Sequence, residues 1–319
     1  MTPREKFSMV LEGKQPPGRV PTFELVFFLT MELLGKVHPS HRLYKQWGQM
    51  SAVDQRLQIA DVARIYIDVA RHFEHAAILI QPLAGVKDSE LLIATEIREQ
   101  SGDEFFLMQH GDATLGIPDG DEMLEFVYRM ADEPEKVKVE QRTAIAGRLA
   151  AADKVAGKGL LDGYALCTDY CFNNGPFLSP RQFSEFVTPF LAELIQGYRE
   201  RGFYTIKHTD GDIMLILDQL VACKPHALHS LDPQAGVDIA KVKKMVGDQV
   251  ALCGNVNCGL MQTGTEDEVI ASTRYALQHG MPGGGYIFST SNCVYPGMPL
   301  DRYQLIIDIW RQEGNYPGE

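Results

Sequence analysis

"FYTIKHTDGDIMLILDQLVACKPHALHSLDP", residues 203–233, reads as strand, helix, strand. "FYTIKHTDG" is the first strand, "DIMLILDQLVAC" (212–223) the helix, and "HALHSLDP" (226–233) a short second strand. The same alternation continues outward. "GVDIAKVKKMVG" (236–247) is a helix, "QVALCGN" (249–255) a strand, "EDEVIASTRYALQHG" (266–280) a helix, "GYIFSTSN" (285–292) a strand and "LDRYQLIIDIWRQEG" (300–314) a helix. Successive strand-then-helix units of this kind imply a parallel sheet with helical crossovers. Upstream, 20–28, 76–85, 104–111 and 163–170 are strand-like, with a long helical stretch over 121–156 and a Ser-Pro-initiated helix over 179–202. An open doubly wound sheet would carry a glycine-rich fingerprint early, and none is present. "PGGGY" (282–286) precedes a strand and does not open a helix, so it is no phosphate cradle. The expected fold is a single-domain (β/α)8 TIM barrel over residues 1–319. Its first half is less regular, and some strands there are expected to pair outside the barrel.

Composition narrows the function. Forty-two acidic against thirty basic residues leave a net charge of −12, without the basic footprint of a nucleic-acid binder. No apolar run is long enough to span a membrane, and the N-terminus lacks the apolar core of a signal peptide. The expected location is the cytoplasm, where the six cysteines stay reduced and are available for packing, metal binding or catalysis.

In an α/β barrel the chemistry sits at the C-terminal ends of the strands. Those ends carry Glu24, Asp169, His208 and Asp210, His229 and Asp232, Cys253, and Cys293. A His and two Cys from neighbouring strands suit tetrahedral zinc with one open position, since thiolates select zinc over magnesium or calcium. The expected metal ligands are His208, Cys253 and Cys293, with Asp210, His229 or Glu24 as a fourth. His208, Asp210 and Glu24 are the catalytic candidates. Tyr170, Phe172, Asn173 and Asn174, in "DYCFNNGP" (169–176), together with His229, form an expected pocket for a flat substrate. Cys167, Cys171, Cys223 and Cys258 are assigned to packing, and His226 begins a strand and so points to the wrong end.

"NGPFLSPRQFSEFVTPFLAELI" (174–195), "KHTDGDI" (207–213), "LDPQAGVDIAKVKKMVGD" (231–248), "LCGNV" (252–256) and "PGGGYIFSTSN" (282–292) resemble the uroporphyrinogen decarboxylase superfamily, clearly over 160–317 and loosely before that. The resemblance implies a (β/α)8 barrel and one of two activities: porphyrinogen decarboxylation, or zinc-dependent methyl exchange with corrinoid proteins. The decarboxylases carry an arginine-rich N-terminal segment that binds propionates. Here "RVPTFELVFFLTMELLGK" (19–36) has no arginine after Arg19, and "EHAAILIQPL" (74–83) lacks the Asp that contacts pyrrole nitrogens in that branch. The methyltransferase branch is the better match. Its coenzyme M enzymes carry His-x-Cys and a later Cys; His208 and Cys293 match, and Asp210 stands where the first Cys would be. The spacing of Cys253 and Cys293 resembles that of aryl methyl ether O-demethylase methyltransferases. The resemblance therefore implies methyl transfer from a methoxylated aromatic to the cob(I)alamin of a separate corrinoid protein, with a methylcorrinoid:thiol methyltransferase as the alternative and the decarboxylase behind it. The chain has no DxHxxG-type corrinoid motif, so the corrinoid is expected on a partner. A homodimer is also compatible.

Overall fold

The computed structural model describes residues 1–317. Its strands are β1 (Ala77–Ile80), β2 (Phe106–His110), β3 (Gly163–Cys167), β4 (Cys171–Phe172), β5 (Gly175–Pro176), β6 (Tyr204–His208), β7 (Ala227–His229), β8 (Ala251–Val256) and β9 (Tyr286–Thr290). Seven of them form one sheet in the order β1-β2-β3-β6-β7-β8-β9, every neighbouring pair parallel. The chain at Pro21–Phe23 joins the two edges. Thr22 O accepts the Ala76 N–H (2.7 Å), Pro21 O accepts the Phe288 N–H (2.9 Å), and Phe288 O accepts the Phe23 N–H (3.3 Å). This closes an α/β barrel. The expected strand over 20–28 is reduced to isolated bridges at Thr22 and Phe27. Pro21 has no N–H to give to a ladder, which keeps the pairing short.

A period of two explains the packing. Ala77 and Leu79, Phe106 and Met108, Ala165, Ile206, Ala227, Ala251 and Cys253, and Ile287 share the barrel interior with Phe23 and Leu25. The alternate residues Ile78, Ile80, Leu107, Tyr164, Leu166, Leu228, Leu252 and Phe288 pack outward into the larger cluster under the helices. Helix Pro3–Leu11, opened by a capping box between Thr2 and Glu5, adds Phe7, Val10 and Leu11 to the interior cluster. Its Arg4 holds Asp162, just before β3, so this helix plugs the N-terminal end of the barrel. The opposite end stays available for chemistry.

The structure refines several expectations. The stretch 121–156 is two helices, Met123–Asp132 and Pro134–Asp153, because Pro134 cannot continue the first and starts the second. The stretch 179–202 likewise divides at Val187, before Pro189, into Pro180–Phe186 and Thr188–Glu200. Helix Ala52–Phe73 occupies a region the sequence left unassigned; Ser51 caps it by accepting the Asp54 N–H at 3.1 Å. The first-half strands β1, β2 and β3 all belong to the barrel. The pair outside it is the β4–β5 hairpin, in the loop after β3. Among the described residues, no helix is long and apolar enough to cross a membrane.

Candidate active site at the barrel mouth

The inward parity carries four side chains to the C-terminal rim. Cys167 follows Ala165, His208 follows Ile206, His229 follows Ala227, and His110 follows Met108. Cys167 pairs in register with His208, and His208 with His229. His110 Nε2 lies 2.9 Å from Gln81 Oε1. Cys167, His110 and Gln81 did not emerge from reading strand ends alone; counting parity up from the apolar interior residues finds Cys167 and His110.

His208 and His229 form a directional pair, with Nδ1 to Nδ1 at 2.8 Å. His229 Nε2 lies 3.3 Å from Thr290 O, and a carbonyl only accepts, so Nε2 carries the His229 proton. A neutral His229 then accepts through Nδ1, and His208 donates through its own Nδ1. The His208 Nε2 is left as a lone pair, 3.7 Å from Asp210 Oδ1. Burial keeps both rings neutral: it pushes His208 down to about 3 and His229 well below the usual imidazole range, with His208 adding to the latter shift. This is the protonation pattern of a metal-binding imidazole, whose far N–H is held by a partner.

Asp210 and Asp169 complete the group. Single ligand atoms of Asp169, His208 and Asp210 lie within 4.8 Å of one another. Asp169 Oδ1 accepts the Asp210 N–H at 2.9 Å. Asp210 Oδ2 accepts from the Asn292 amide, while its Oδ1 is buried without a hydrogen-bond partner. Burial first, and the Asp169 charge second, push the Asp210 carboxyl up to about 7. A divalent cation fits this arrangement: it would satisfy the bare oxygen, the imidazole lone pair and the paired negative charge together.

The loops that deliver these residues are tied from behind. Lys207, fully buried and of outward parity, donates to Asp112 Oδ2 and Thr168 O, each at 2.8 Å, and lies 4.0 Å over the Tyr170 ring. Asp112 also accepts the Thr114 hydroxyl (2.7 Å) and the Thr168 N–H (3.2 Å). The loop after β2 is thus clamped to the loop after β3. Gly211, at φ +83°, lets the loop after β6 pass against the hairpin, where a Cβ would meet Cys171 O at 2.6 Å.

The other sequence candidates are distributed as follows. Cys253 is not at a strand end. β8 runs on to Val256, with Gly254 paired to Phe288 and Asn255 to Ser289, so Cys253 is a mid-strand interior residue with Sγ 3.6 Å from Ser289 Oγ. Cys293 is 8% exposed and shares the interior cluster. Among the described residues, Cys253 and Cys293 do not join His208 in a group of mutually close ligand atoms. Burial raises both thiols well above the ordinary range. Cys258 faces the Cys293 carbonyl (3.5 Å), Cys223 packs with its Sγ 3.4 Å from Thr188 O, and Cys171 is buried on the hairpin.

Glu24 is buried between β9 and helix Leu300–Glu313. Its Oε1 accepts from Thr290 N (3.2 Å) and Tyr303 OH (3.2 Å), and its Oε2 lies 2.5 Å from Thr290 Oγ1. Its parity is opposite to that of Phe23 and Leu25, which face the interior. Tyr170 is buried with its hydroxyl 2.6 Å from Thr114 Oγ1. Phe172 is exposed on β4, and Asn173 and Asn174 are the exposed hairpin turn. Of the expected substrate pocket, only His229 belongs to the His208 group.

The segment from the turn before β3 to the last helix, residues 158–312, matches the family model described as uroporphyrinogen decarboxylase (URO-D). Over these residues the chain is similar to that family. A relative from Thioalkalivibrio sulfidiphilus named uroporphyrinogen decarboxylase is 29% identical over 145 residues, 44% of this chain and 40% of that protein's length. The chain thus matches well under half of that relative. Two solved structures share the architecture. A methyltransferase from Methanosarcina mazei is 16% identical and superposes with a TM-score of 0.74 over 98% of this chain and 99% of its own. A putative vitamin-B12 independent methionine synthase from Listeria monocytogenes is 11% identical with a TM-score of 0.57, over 94% and 97% of the two chains. At these identities the likeness is one of fold, and it runs through the N-terminal half beyond the matched URO-D segment. The barrel mouth is therefore the place where this chain is to be read from its own residues.

Proposed function

We propose that this protein is a methyltransferase that moves the methyl group of a methoxylated aromatic to the cob(I)alamin of a separate corrinoid protein, assisted by a zinc ion at the His208 centre. One observation carries the reading. The barrel mouth presents a buried imidazole with its lone pair free and two carboxylates beside it, in a fold shared end to end with a methyltransferase. A bound cation would supply Lewis acidity to the ether oxygen as the methyl carbon leaves it, easing the departure of a poor phenoxide leaving group.

The chain's own residues do the rest. His208 and Asp210 hold the centre, His229 fixes the imidazole orientation, and the Asn292 amide holds one Asp210 oxygen so that the other faces the site. Below the rim the barrel is filled by Met108, Ala165, Ile206, Cys253 and Ile287, which closes the floor to water. The acidic rim, with Asp169, Asp210 and Asp232, disfavours a substrate bearing many carboxylates, and residues 20–36 contain no arginine to offset it. That weighs against porphyrinogen decarboxylation despite the name of the Thioalkalivibrio relative.

The test is incubation of the zinc-loaded protein with free cob(I)alamin and a panel of methoxybenzoates. Phenol release that depends on cob(I)alamin supports the proposal. Release of carbon dioxide from uroporphyrinogen by the same protein, with no demethylation of any panel member, would replace it with the decarboxylase.

A further inference from the structure

We propose that the cation at the mouth is held by one nitrogen and two carboxylates, His208 Nε2, Asp210 and Asp169, with His229 as a positioning residue and with no thiolate ligand. The inference rests on the proposed function only for the purpose of the cation; the donor set follows from the fold.

A thiolate site on Cys253 requires that side chain at the rim. β8 instead continues three residues past it, and Cys253 sits among Ala251, Ile287 and Ile206 in the filled interior. Cys293 is 8% exposed and packs with the interior cluster, near enough to Asp210 for the two charges to interact, but its sulfur does not join the His208 group. Neither sulfur falls within the compact ligand group.

The carboxylates do. Asp210 follows His208 by two residues, so the loop leaving β6 returns its side chain to the imidazole. Asp169 follows Cys167 by two residues on the adjacent strand, β3, and Cys167 is the register partner of His208. The backbone bond from Asp210 N–H to Asp169 Oδ1 fixes the two loops together and leaves the second Asp169 oxygen free. Each contributor then has one committed atom and one available atom. His208 commits Nδ1 to His229 and offers Nε2. Asp210 commits Oδ2 to Asn292 and offers Oδ1. Asp169 commits Oδ1 to the Asp210 backbone and offers Oδ2.

The independent sign that this is a ligand site is His208 together with the oxygen it faces. The residue is only 5% exposed, its Nε2 lies 3.7 Å from Asp210 Oδ1, and that oxygen is buried with no hydrogen-bond partner among the described residues. Leaving such a group bare is costly inside a protein unless something binds it. A donor set of one nitrogen and two oxygens accommodates zinc, cobalt, iron(II) or manganese, and lacks the soft ligands that would restrict it to zinc.

His229 contributes no atom to the cation. Its role is to choose the His208 tautomer, because a His208 that donated through Nε2 could not bind a metal there. Glutamine at 229 can reproduce this, accepting from His208 through its carbonyl and donating to Thr290 O through its amide. Leucine cannot.

The test uses the full chain, stripped of metal and titrated with Co2+ alone. The expected result is about one Co2+ per chain, with visible ligand-field bands and no sulfur-to-cobalt charge-transfer band in the near ultraviolet. Cys253→Ala and Cys293→Ala should leave the spectrum and the affinity unchanged within about twofold. His229→Leu should weaken binding about 10–100-fold, with His229→Gln restoring most of it. The near-isosteric Asp210→Asn and Asp169→Asn, checked for native circular dichroism, should weaken it at least as much. A charge-transfer band that disappears in either cysteine variant, or full Co2+ affinity in Asp169→Asn, would overturn the assignment, as would a wild-type chain that binds no Co2+. These readouts are independent of turnover, so a failure of methyl transfer falls on the proposed function and not on the site.

Discussion

Replacing Glu24 by glutamine separates a structural carboxylic acid from a catalytic carboxylate. Glu24 is 5% exposed, and burial pushes its carboxyl up to about 8, only partly offset by hydrogen bonds from Thr290 and Tyr303. In the folded chain at neutral pH it is therefore protonated, whereas in the unfolded chain it ionises near the ordinary glutamate value of 4.5. The folded pKa is raised, so unfolding releases a proton between these limits. The Glu24 contribution to stability is complete below pH 4.5 and is lost as pH rises towards about 8. Each pH unit in that window costs about 1.4 kcal/mol, so the loss between pH 5 and pH 7 is roughly 2–3 kcal/mol. Glutamine keeps the shape. Its carbonyl accepts from Thr290 N–H and Tyr303 OH, and its amide donates to Thr290 Oγ1, with nothing to titrate. Urea unfolding of both proteins at pH 5, 6 and 7 isolates the effect. The stability difference should shift in favour of Glu24→Gln by about 1.4 kcal/mol per pH unit. A difference that does not change with pH would mean that Glu24 is ionised in the fold and that the reasoning is wrong. Methyl transfer should survive in Glu24→Gln, because the carboxyl is committed to the wall.

Lys207→Met strands the Asp112 carboxylate in a buried site and should cost about 3–5 kcal/mol, read by denaturant unfolding. Gly211→Ala forces a Cβ against the Cys171 and Phe172 carbonyls at a positive φ and should destabilise the chain by more than about 1 kcal/mol. Limited proteolysis at the Asn173–Asn174 turn should accelerate in that variant as the hairpin loses its seat.

The fold was legible because the second half of the chain alternates strand and helix without interruption, and proline and glycine mark most of the joints. The same logic located the rim at His208, Asp210, Asp169 and His229. It failed where strand ends were inferred from the residue that usually terminates a strand. Gly254 looks like a stop after Cys253, yet with φ +131° it stays in the ladder opposite Phe288, leaving Cys253 inside. Glu24 failed for a different reason: it lies on the edge-closing segment but on the outward parity, which only the interior positions of Phe23 and Leu25 reveal. Tyr170 looks like a pocket aromatic beside Asn173 and Asn174. Its ring is instead the buried seat of Lys207, a pairing that spans two strands and leaves no local signature. His110 and Cys167 were legible in principle, two residues beyond interior apolar positions.

In the proposed reaction a cation held at His208 drives methyl transfer. The most direct measurement is the rate at which the chain forms methylcobalamin from cob(I)alamin and its best methoxybenzoate, compared between metal-stripped and zinc-reloaded protein and repeated for His208→Ala. Stripping should abolish the rate, reloading should restore it in the wild type, and reloading should restore nothing in His208→Ala. Equal rates with and without metal, or a His208→Ala protein as active as the wild type, would contradict it.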